Sequence, residues 1–298
     1  MRSLILGATG QIGALLADEC ERRDDAVLGT WYRRPHADHA PLDICDDQSV
    51  QSLVADFQPD AIYLAAGMNQ IDFAESNPDE CRAVNVEGVA NVARAAAESG
   101  AMVIYFSTGH VFGDCKTSMK ENDLANPSNI HGQASAETER TIRELLPERH
   151  LILRTNWVYG PEYRGKNPAA HAVRRMRDGH SIATTTDRFC QPTYGPDLAN
   201  VAVELVKHEC RGTYHAVGSE RMTEFAFYRT AAFLFGFDSD LVEGVPAIEL
   251  GEEAPRPRSL WLDRFKLRAE LGPKALRAPG EGLRAMRELE YVPAIRAA

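Results

Sequence analysis

Three glycines near the start of the chain have the spacing of a phosphate-binding loop. They stand at positions 7, 10 and 13 in GATGQIG, directly after the apolar stretch SLIL and before the amphipathic stretch IGALLADECERR. At this spacing Gly7 allows a sharp turn, Gly10 lets a pyrophosphate approach the backbone, and Gly13 lets a helix pack against the strand. The amides of the helix N-terminus would face the phosphates, so the pattern predicts a dinucleotide site. Further cofactor-binding candidates within the loop are Thr9, Gln11 and Ile12.

The second apolar run ends in basic residues at the place where NAD sites carry an acid. An Asp or Glu about 20 residues past the glycines usually holds the ribose 2′-hydroxyl, whereas TWYRRPHAD has Arg33 and Arg34 there. Two guanidiniums suit a 2′-phosphate, which favours NADP(H). The alternative is that the arginines are surface charge and that NAD is also accepted. Asp43 is a candidate partner of the adenine amine, with Ile44 beside it.

Short apolar runs alternate with helical patterns through the first half of the chain. The runs cover residues 3–7, 26–32, 61–66, 102–107 and 151–157. Strands that alternate with helices predict βαβ units and a parallel sheet with helices on both faces. The predicted fold class is therefore α/β, a doubly wound Rossmann fold. Ala65, Ala66 and Gly67, at the end of the third run, are small enough for a cofactor to lie across the sheet.

The alternation ends near Gly160. Residues 1–155 are predicted to form the dinucleotide-binding domain, to which residues 190–217 return. Residues 156–189 and 218–298 are predicted to form a smaller substrate-binding lobe over the carboxyl edge of the sheet, where open α/β folds bind ligands. The arginines of HAVRRMRDGH are interpreted as a solvated helix face, with contact to a substrate phosphate as the alternative.

Composition narrows the classes of partner and the cellular location. The chain has 33 Lys and Arg against 43 Asp and Glu, a formal net charge of −10, and no basic stripe, so nucleic acid is not an expected partner. No apolar stretch approaches the ~20 residues of a membrane span, and the first is too short for a signal peptide. We therefore expect a cytoplasmic protein that does not contact membranes. The 6 cysteines are widely spaced and the histidines are not clustered, so neither disulfides nor a metal site are expected.

Eight ordered blocks of the sequence resemble the extended short-chain dehydrogenase/reductases, and within them the dTDP-4-dehydrorhamnose reductase group of sugar-nucleotide-modifying enzymes. The blocks are GATGQIG (7–13), FQPDAIYLAAG (57–67), AESNPDECRAVNVEG (74–88), FSTGHVFGD (106–114), LRTNWVYG (153–160), QPTYGPDLA (191–199), GTYHAVG (212–218) and RPRSLWLDRFKL (256–267). Asn85, in the third block, is a further candidate for cofactor binding. The chain is also similar to the NADP-binding regulatory subunit of methionine adenosyltransferase, in GTYHAVGSERMT and in the Arg-Arg pair.

The resemblance implies a catalytic set that this chain has only in part. Reductases of the group carry a Ser or Thr at a strand end and Tyr-x-x-x-Lys on the next helix. The tyrosine donates a proton to the ketone oxygen as hydride leaves the nicotinamide, and the lysine lowers the phenol pKa and holds the ribose. Thr108 keeps the hydroxyl, but HGQASAETE places His131 at the tyrosine position and Ser135 at the lysine position. The strand-end motif also reads Gly109-His110 where the family has Asp-Tyr.

Two functions are left open by these replacements. An imidazole is a competent general acid near neutral pH but is shorter than a phenol, and a serine cannot replace an ammonium group. The first function is an NADPH-dependent reductase of a 4-keto-6-deoxy nucleotide sugar, with Thr108 orienting the ketone and His131 as the acid. The second is a catalytically silent regulatory or sensor protein with a protein partner. A homodimer is the default for a soluble oligomer.

The resemblance also implies substrate contacts in the second half of the chain. It places Trp157 against the sugar, Asn167 beside a loop that closes over the nucleotide, Gln191 in the pocket wall and Arg256 near the diphosphate. The alternative for each of these residues is a structural role.

Overall fold

The computed structural model describes residues 1–162 and 166–291. The strands are β1 Arg2–Leu6, β2 Ala26–Trp31, β3 His39–Pro41, β4 Ala61–Leu64, β5 Met102–Thr108, β6 His150–Thr155, β7 Val158–Tyr159, β8 Ile182–Thr185, β9 Phe189–Cys190, β10 Thr193–Tyr194, β11 Gly212–His215, β12 Met222–Thr223 and β13 Val242–Val245. The α-helices are α1 Gln11–Glu21, α2 Asp47–Phe57, α3 Ile71–Ser76, α4 Pro78–Arg82, α5 Val89–Ser99, α6 Ile130–Leu145, α7 Pro168–Arg177, α8 Gly195–Lys207, α9 Glu224–Phe235, α10 Phe265–Leu271 and α11 Pro279–Tyr291. A π-helical turn (Ala83–Gly88) joins α4 to α5, and 3-10 turns cover Gly109–Phe112, Ser239–Leu241 and Ala247–Leu250.

Seven strands form one parallel sheet in the order β3-β2-β1-β4-β5-β6-β11. The chain runs outward from β1 to β3 and then returns to the other side of β1 at β4. This reversal opens a crevice at the carboxyl ends of β1 and β4, which is where doubly wound sheets bind ligands. The predicted fold class is confirmed.

Apolar side chains cover both faces of the sheet. One buried cluster packs α1 and α8 against the sheet through residues such as Leu16 and Leu198. The other packs α2, α5 and α6 through residues such as Val50, Val92 and Ile142. Because both faces are covered, central strands such as β4 are apolar at consecutive positions rather than at alternate ones.

Two strands of the large sheet have no strong signal in the sequence. β3 is only three residues long, contains Pro41 and is half-exposed, so its pattern is too short to recognise. β11 adds GTYH to the edge beside β6 and so brings part of the 190–217 segment into the sheet.

Helices α7, α9 and α11, from the segments predicted to form the smaller lobe, pack around a core that includes Tyr159, Phe227 and Met286. The arginines of α7 lie on its exposed face, while its alanines, Val173 and Met176 are buried. Of the segments assigned to this lobe, residues 163–165 and 292–298 lie outside the described residues. Within the described part of the chain, no helix combines the length and the apolar character that crossing a bilayer requires.

Candidate cofactor and ligand site

The glycine loop has no room for side chains at its first and last glycines. Gly7 has φ +85°, and a Cβ there would lie 2.9 Å from the backbone nitrogen of Ala66. A Cβ on Gly13 would lie 2.2 Å from the carbonyl oxygen of Gly7. The N-terminus of α1 follows at once, and no side chain caps it. Its first amides therefore face the crevice and can receive an anionic group.

The adenine end of the predicted site is exposed. Arg33 and Arg34 follow β2, and the Arg33 guanidinium is 3.5 Å from the Glu80 carboxylate, with 78% of its side chain exposed. Asp43 is half-buried, and its Oδ1 accepts a hydrogen bond from the Cys45 amide (2.9 Å). The buried Ile44 lies close to Gly88 in the π-helical turn. These predicted residues lie together beyond the end of β2 and β3.

A cavity of about 640 Å³ extends from the glycine loop to α6 and α7. The structure brings many of the predicted residues to its wall: Gly10, Gln11, Ile12, Ala65, Ala66, Gly67, Asn85, Thr108, His131, Ser135, Trp157 and Asn167. They come from the ends of β4, β5 and β6, from the first turns of α1 and α6, from the π-helical turn and from the residue before α7. Because parallel strands end at one edge, segments far apart in sequence meet there.

Asn85 fixes the loop after β4 with both ends of its amide. Its Oδ1 accepts from the Met68 amide (2.7 Å), and its Nδ2 donates to the Met68 carbonyl (2.8 Å). This buried side chain therefore stabilises the conformation of the loop that forms this part of the cavity wall.

The side chains of two of the three residues at the predicted catalytic position, Thr108 and Ser135, are hydrogen-bonded within the protein. Thr108 Oγ1 accepts a hydrogen bond from the His110 amide (3.2 Å) and so caps the 3-10 turn after β5. Ser135, only 3% exposed, donates its hydroxyl to the His131 carbonyl one helical turn earlier (2.8 Å). Burial lowers the pKa of His131 from 6.5 to about 4, against a smaller raising effect from the Met68 backbone. Its Nδ1 is buried and has no hydrogen-bond partner among residues 1–162 and 166–291.

His110 is a site residue that the sequence analysis noted only as a departure from the family motif. It lines the main cavity, and its ring centroid is 5.9 Å from that of His131. Burial, followed by the electrostatic effects of His131, Arg256 and Arg188, lowers its pKa from 6.5 to about 3. Its position two residues after Thr108 was the available signal, because a residue at a strand end in a parallel sheet points to the crevice.

A second cavity of about 310 Å³ adjoins the first and shares His110, Trp157, Ile71 and Leu260 with it. Trp157 has φ +42°, a left-handed conformation rare for a large side chain, and its ring packs against Phe227 and Tyr228. In this backbone conformation Trp157 lines both cavities and forms part of the wall between them. Strain of this kind concentrates at functional sites.

The second cavity contains two arginines that are already paired. Arg256 makes two hydrogen bonds of 2.8 Å to the Asp72 carboxylate. Arg188, 9% exposed, pairs with Glu252 and is 3.3 Å from Glu224. Burial raises the pKa of Glu224 to about 7, although Arg188 opposes the shift. An anionic ligand in this cavity would therefore compete with the protein's own carboxylates for these guanidiniums.

Two predicted substrate residues have structural partners. Asn167 caps α7 through Oδ1 (3.0 Å to the Ala170 amide) and donates Nδ2 to the Gly160 carbonyl (2.9 Å). Gln191 exchanges two hydrogen bonds with the backbone of Leu262 (2.7 and 3.2 Å) and lines neither of the two cavities. Its amide thus joins the segment after β9 to the segment before α10.

No group of three His, Cys, Asp or Glu side chains able to hold a metal ion occurs within the described residues. The lysine that lines the main cavity in the described part of the chain is Lys166. It lies in the exposed segment before α7 rather than on α6.

Comparisons with known proteins identify the family. A model described as the RmlD substrate binding domain matches residues 1–286. The chain is 32% identical over 274 residues to a dTDP-4-dehydrorhamnose reductase of Streptomyces griseus, covering 90% of this chain and 87% of that protein. It is 30% identical over 273 residues to methionine adenosyltransferase 2 subunit beta of Xenopus tropicalis, covering 89% of this chain and 81% of that protein.

The same relationship is seen among solved structures. A dTDP-4-dehydrorhamnose reductase from Bacillus anthracis, crystallised in complex with NADP, has a TM-score of 0.88 and 28% identity, covering 97% of this chain and 99% of that one. These findings confirm the resemblance read from the sequence blocks. The chain belongs to the RmlD substrate binding domain family.

Proposed function

We propose that this chain binds NADP(H) together with a nucleotide sugar and acts as a ligand-binding protein, without the rapid hydride transfer of a reductase. The observation that carries the proposal is the hydrogen bond from Ser135 to the His131 carbonyl. The side chain at the lysine position is neutral and donates its hydroxyl proton within its own helix, so it cannot supply the positive charge that holds a ribose or lowers the pKa of a proton donor.

Support for the cofactor comes from the glycine loop and the end of β2. The close approaches at Gly7 and Gly13 and the uncapped start of α1 form a cradle for a pyrophosphate. Arg33 and Arg34 are exposed beyond the end of β2, two guanidiniums suit a 2′-phosphate, and the relative from Bacillus anthracis was crystallised with NADP. NAD is a possible second cofactor. When bound, the nicotinamide supplies hydride; the protein contributes binding and orientation.

Support for the second ligand comes from the joined cavities. Their volumes fall in the range of small-molecule sites, and Trp157 offers an aromatic surface where they meet. The relatives from Streptomyces griseus and Bacillus anthracis are named for dTDP-4-dehydrorhamnose, a 4-keto-6-deoxy nucleotide sugar. If the sugar packs against Trp157, where the two cavities meet, the nucleotide would extend into the second cavity.

The proton-transfer groups argue against fast turnover. A general acid works best when its pKa lies near the working pH, and the pKa of His131 is about 4. The imidazole is therefore neutral at neutral pH and holds its remaining proton tightly. Loss of general acid catalysis alone is worth about 10²–10⁴-fold in rate.

A slow reductase is the second candidate function, and one observation favours it. His131 Nδ1 is buried without a partner among the described residues, and buried polar atoms are normally paired. A ligand oxygen that reached this histidine would satisfy it and would be polarised in return.

A single-turnover experiment separates the two functions. NADPH-loaded protein is mixed with dTDP-4-dehydrorhamnose, and NADPH absorbance is followed for the wild type, the double variant His131→Tyr, Ser135→Lys, and the matched control His131→Phe, Ser135→Met. We expect all three proteins to bind NADPH and only the Tyr/Lys variant to oxidise it. Oxidation by the wild type that disappears in the Phe/Met control would instead establish the reductase.

A further inference from the structure

The amide of Asn129 has a defined orientation. Its Oδ1 accepts a hydrogen bond from the Gly132 amide (2.8 Å), which caps α6. Its Nδ2 donates to the Pro255 carbonyl (2.8 Å), and a carbonyl oxygen can only accept. Two independent backbone partners therefore agree on which end of the side chain is the NH₂ group, and the usual ambiguity of an amide is removed.

The same NH₂ group faces the imidazole of His110. Asn129 Nδ2 lies 3.1 Å from His110 Nδ1. Since Nδ2 carries only protons, Nδ1 must be the acceptor, and the neutral ring then carries its proton on Nε2. Protonation of Nδ1 would set two N–H groups against each other. The guanidiniums of Arg188 and Arg256 and the neighbouring His131 oppose a positive charge on it as well.

The other nitrogen of His110 faces the cavities. Nε2 makes no hydrogen bond to any residue in the described part of the chain. Unlike His131 Nδ1, which is buried without a partner, His110 Nε2 is not fully buried and remains accessible. The ring lines both cavities at the passage between them. An accessible, unpaired N–H at this passage is available to a ligand.

We propose that His110 is a fixed hydrogen-bond donor that selects ligands with an acceptor oxygen, such as a keto or hydroxyl group, at the passage between the two cavities. Asn129 is the positioning residue that sets its tautomer. An amino group at the same point would present only donors once protonated and would be rejected. The identity of the ligand rests on the proposed function, whereas the tautomer does not.

The tautomer is measured without any ligand. Protein labelled with ¹⁵N in its 9 histidines is examined by NMR, and the His110→Phe variant assigns the His110 signals. We expect a bare Nδ1 and a protonated Nε2 that stay unchanged from about pH 8 to about pH 5.5, where an ordinary histidine titrates. A proton on Nδ1, or titration of His110 within this range, would overturn the inference.

Two variants of Asn129 test the positioning role. Asn129→Asp keeps a capping oxygen for α6 but replaces the NH₂ donor by an acceptor, so His110 should take up a proton within the same pH range. Asn129→Ser also caps a helix but adds no charge, and it should leave His110 neutral while freeing the choice of tautomer. If Asn129→Asp leaves the His110 signals as in the wild type, Asn129 does not set the tautomer. The wild-type spectrum decides the main point even if a variant fails to fold.

Ligand selection is tested by titrating two probes into protein that already holds NADP⁺. The probes are dTDP-rhamnose and its 4-amino-4-deoxy analogue. We expect the wild type to bind dTDP-rhamnose about tenfold more tightly or better, and the His110→Phe variant to lose this preference while still binding NADP⁺. Equal binding of both sugars by the wild type would overturn the selecting role alone. Binding of neither sugar would overturn the proposed function and the selecting role together, but not the tautomer.

Discussion

We predict that His215 makes the stability of this protein sensitive to acid. The side chain is fully buried, with Nδ1 3.0 Å from the Asp263 carbonyl and Nε2 3.3 Å from the Arg154 guanidinium. Arg154 can only donate, so Nε2 accepts and Nδ1 carries the proton. Burial, and then the charge of Arg154, lower the pKa of His215 from 6.5 to about 4. The folded protein therefore requires the neutral ring.

The magnitude follows from this pKa shift. A lowered pKa contributes stability that is present above the unfolded value of 6.5 and is lost as the pH falls toward the folded value. For a folded pKa of about 4, the free energy of unfolding falls by about 2 kcal/mol between about pH 7 and about pH 5. The lowered pKa values of His110 and His131 act in the same direction.

The assay compares urea unfolding of the wild type and of His215→Asn at the two pH values. Asparagine offers an NH₂ group to the Asp263 carbonyl but does not titrate. His110 and His131 are present in both proteins, so their contributions cancel in the difference. We expect the wild type to lose about 2 kcal/mol more than the variant on acidification. The exposed His171→Asn serves as the control and should behave like the wild type. Equal losses in the wild type and in His215→Asn would refute the reasoning.

The remaining predictions concern the cofactor site. Gly13→Ala should abolish NADPH binding or lower the melting temperature, because its Cβ would lie 2.2 Å from the Gly7 carbonyl oxygen. The control Gly280→Ala, where no atom lies within 4 Å of the new Cβ, should leave both measurements unchanged. Replacing Arg33 and Arg34 together by serine should weaken NADPH binding by about 10- to 100-fold and leave NADH binding unchanged. The reason is that the two guanidiniums are expected to contact only the 2′-phosphate, which NADH lacks. An equal loss for both cofactors would contradict this role, and Arg211→Ser, an exposed change far from the loop in sequence, is the matched control.

Continuous runs of apolar residues predicted where the central strands lie. They did not predict the residues at which those strands end. The run 151–157 indicated a strand through Trp157, but β6 ends at Thr155. The reason is tertiary: Asn156 Oδ1 accepts from the Gly109 amide (3.1 Å), and Trp157 then turns to φ +42° to reach the cavity wall. Neither event leaves a mark on the hydrophobic pattern, because one depends on the turn after β5 and the other on helix α9.

Site residues divide in the same way. The replacements at His131 and Ser135 could be read from an aligned motif, since a motif on one helix keeps its spacing. The reciprocal bonds between Gln191 and Leu262 could not be read, because the two residues are 71 positions apart and meet only through the fold. Residue type suggested a pocket amide, and the backbone partner makes it a connection between two segments.

The sequence by itself determined the parallel sheet and the glycine spacing of the predicted phosphate loop, and it has His131 and Ser135 where the family motif is expected to have tyrosine and lysine. These features depend on glycine spacing, periodicity and residue identity, all of which are local. Only the tertiary structure decided the protonation of the site. The tautomer of His110 is set by Asn129, whose orientation is held by the Pro255 carbonyl 126 positions further along the chain. Hydrogen bonds act over about 3 Å, so the state of an imidazole depends on whichever distant group the fold brings within that reach.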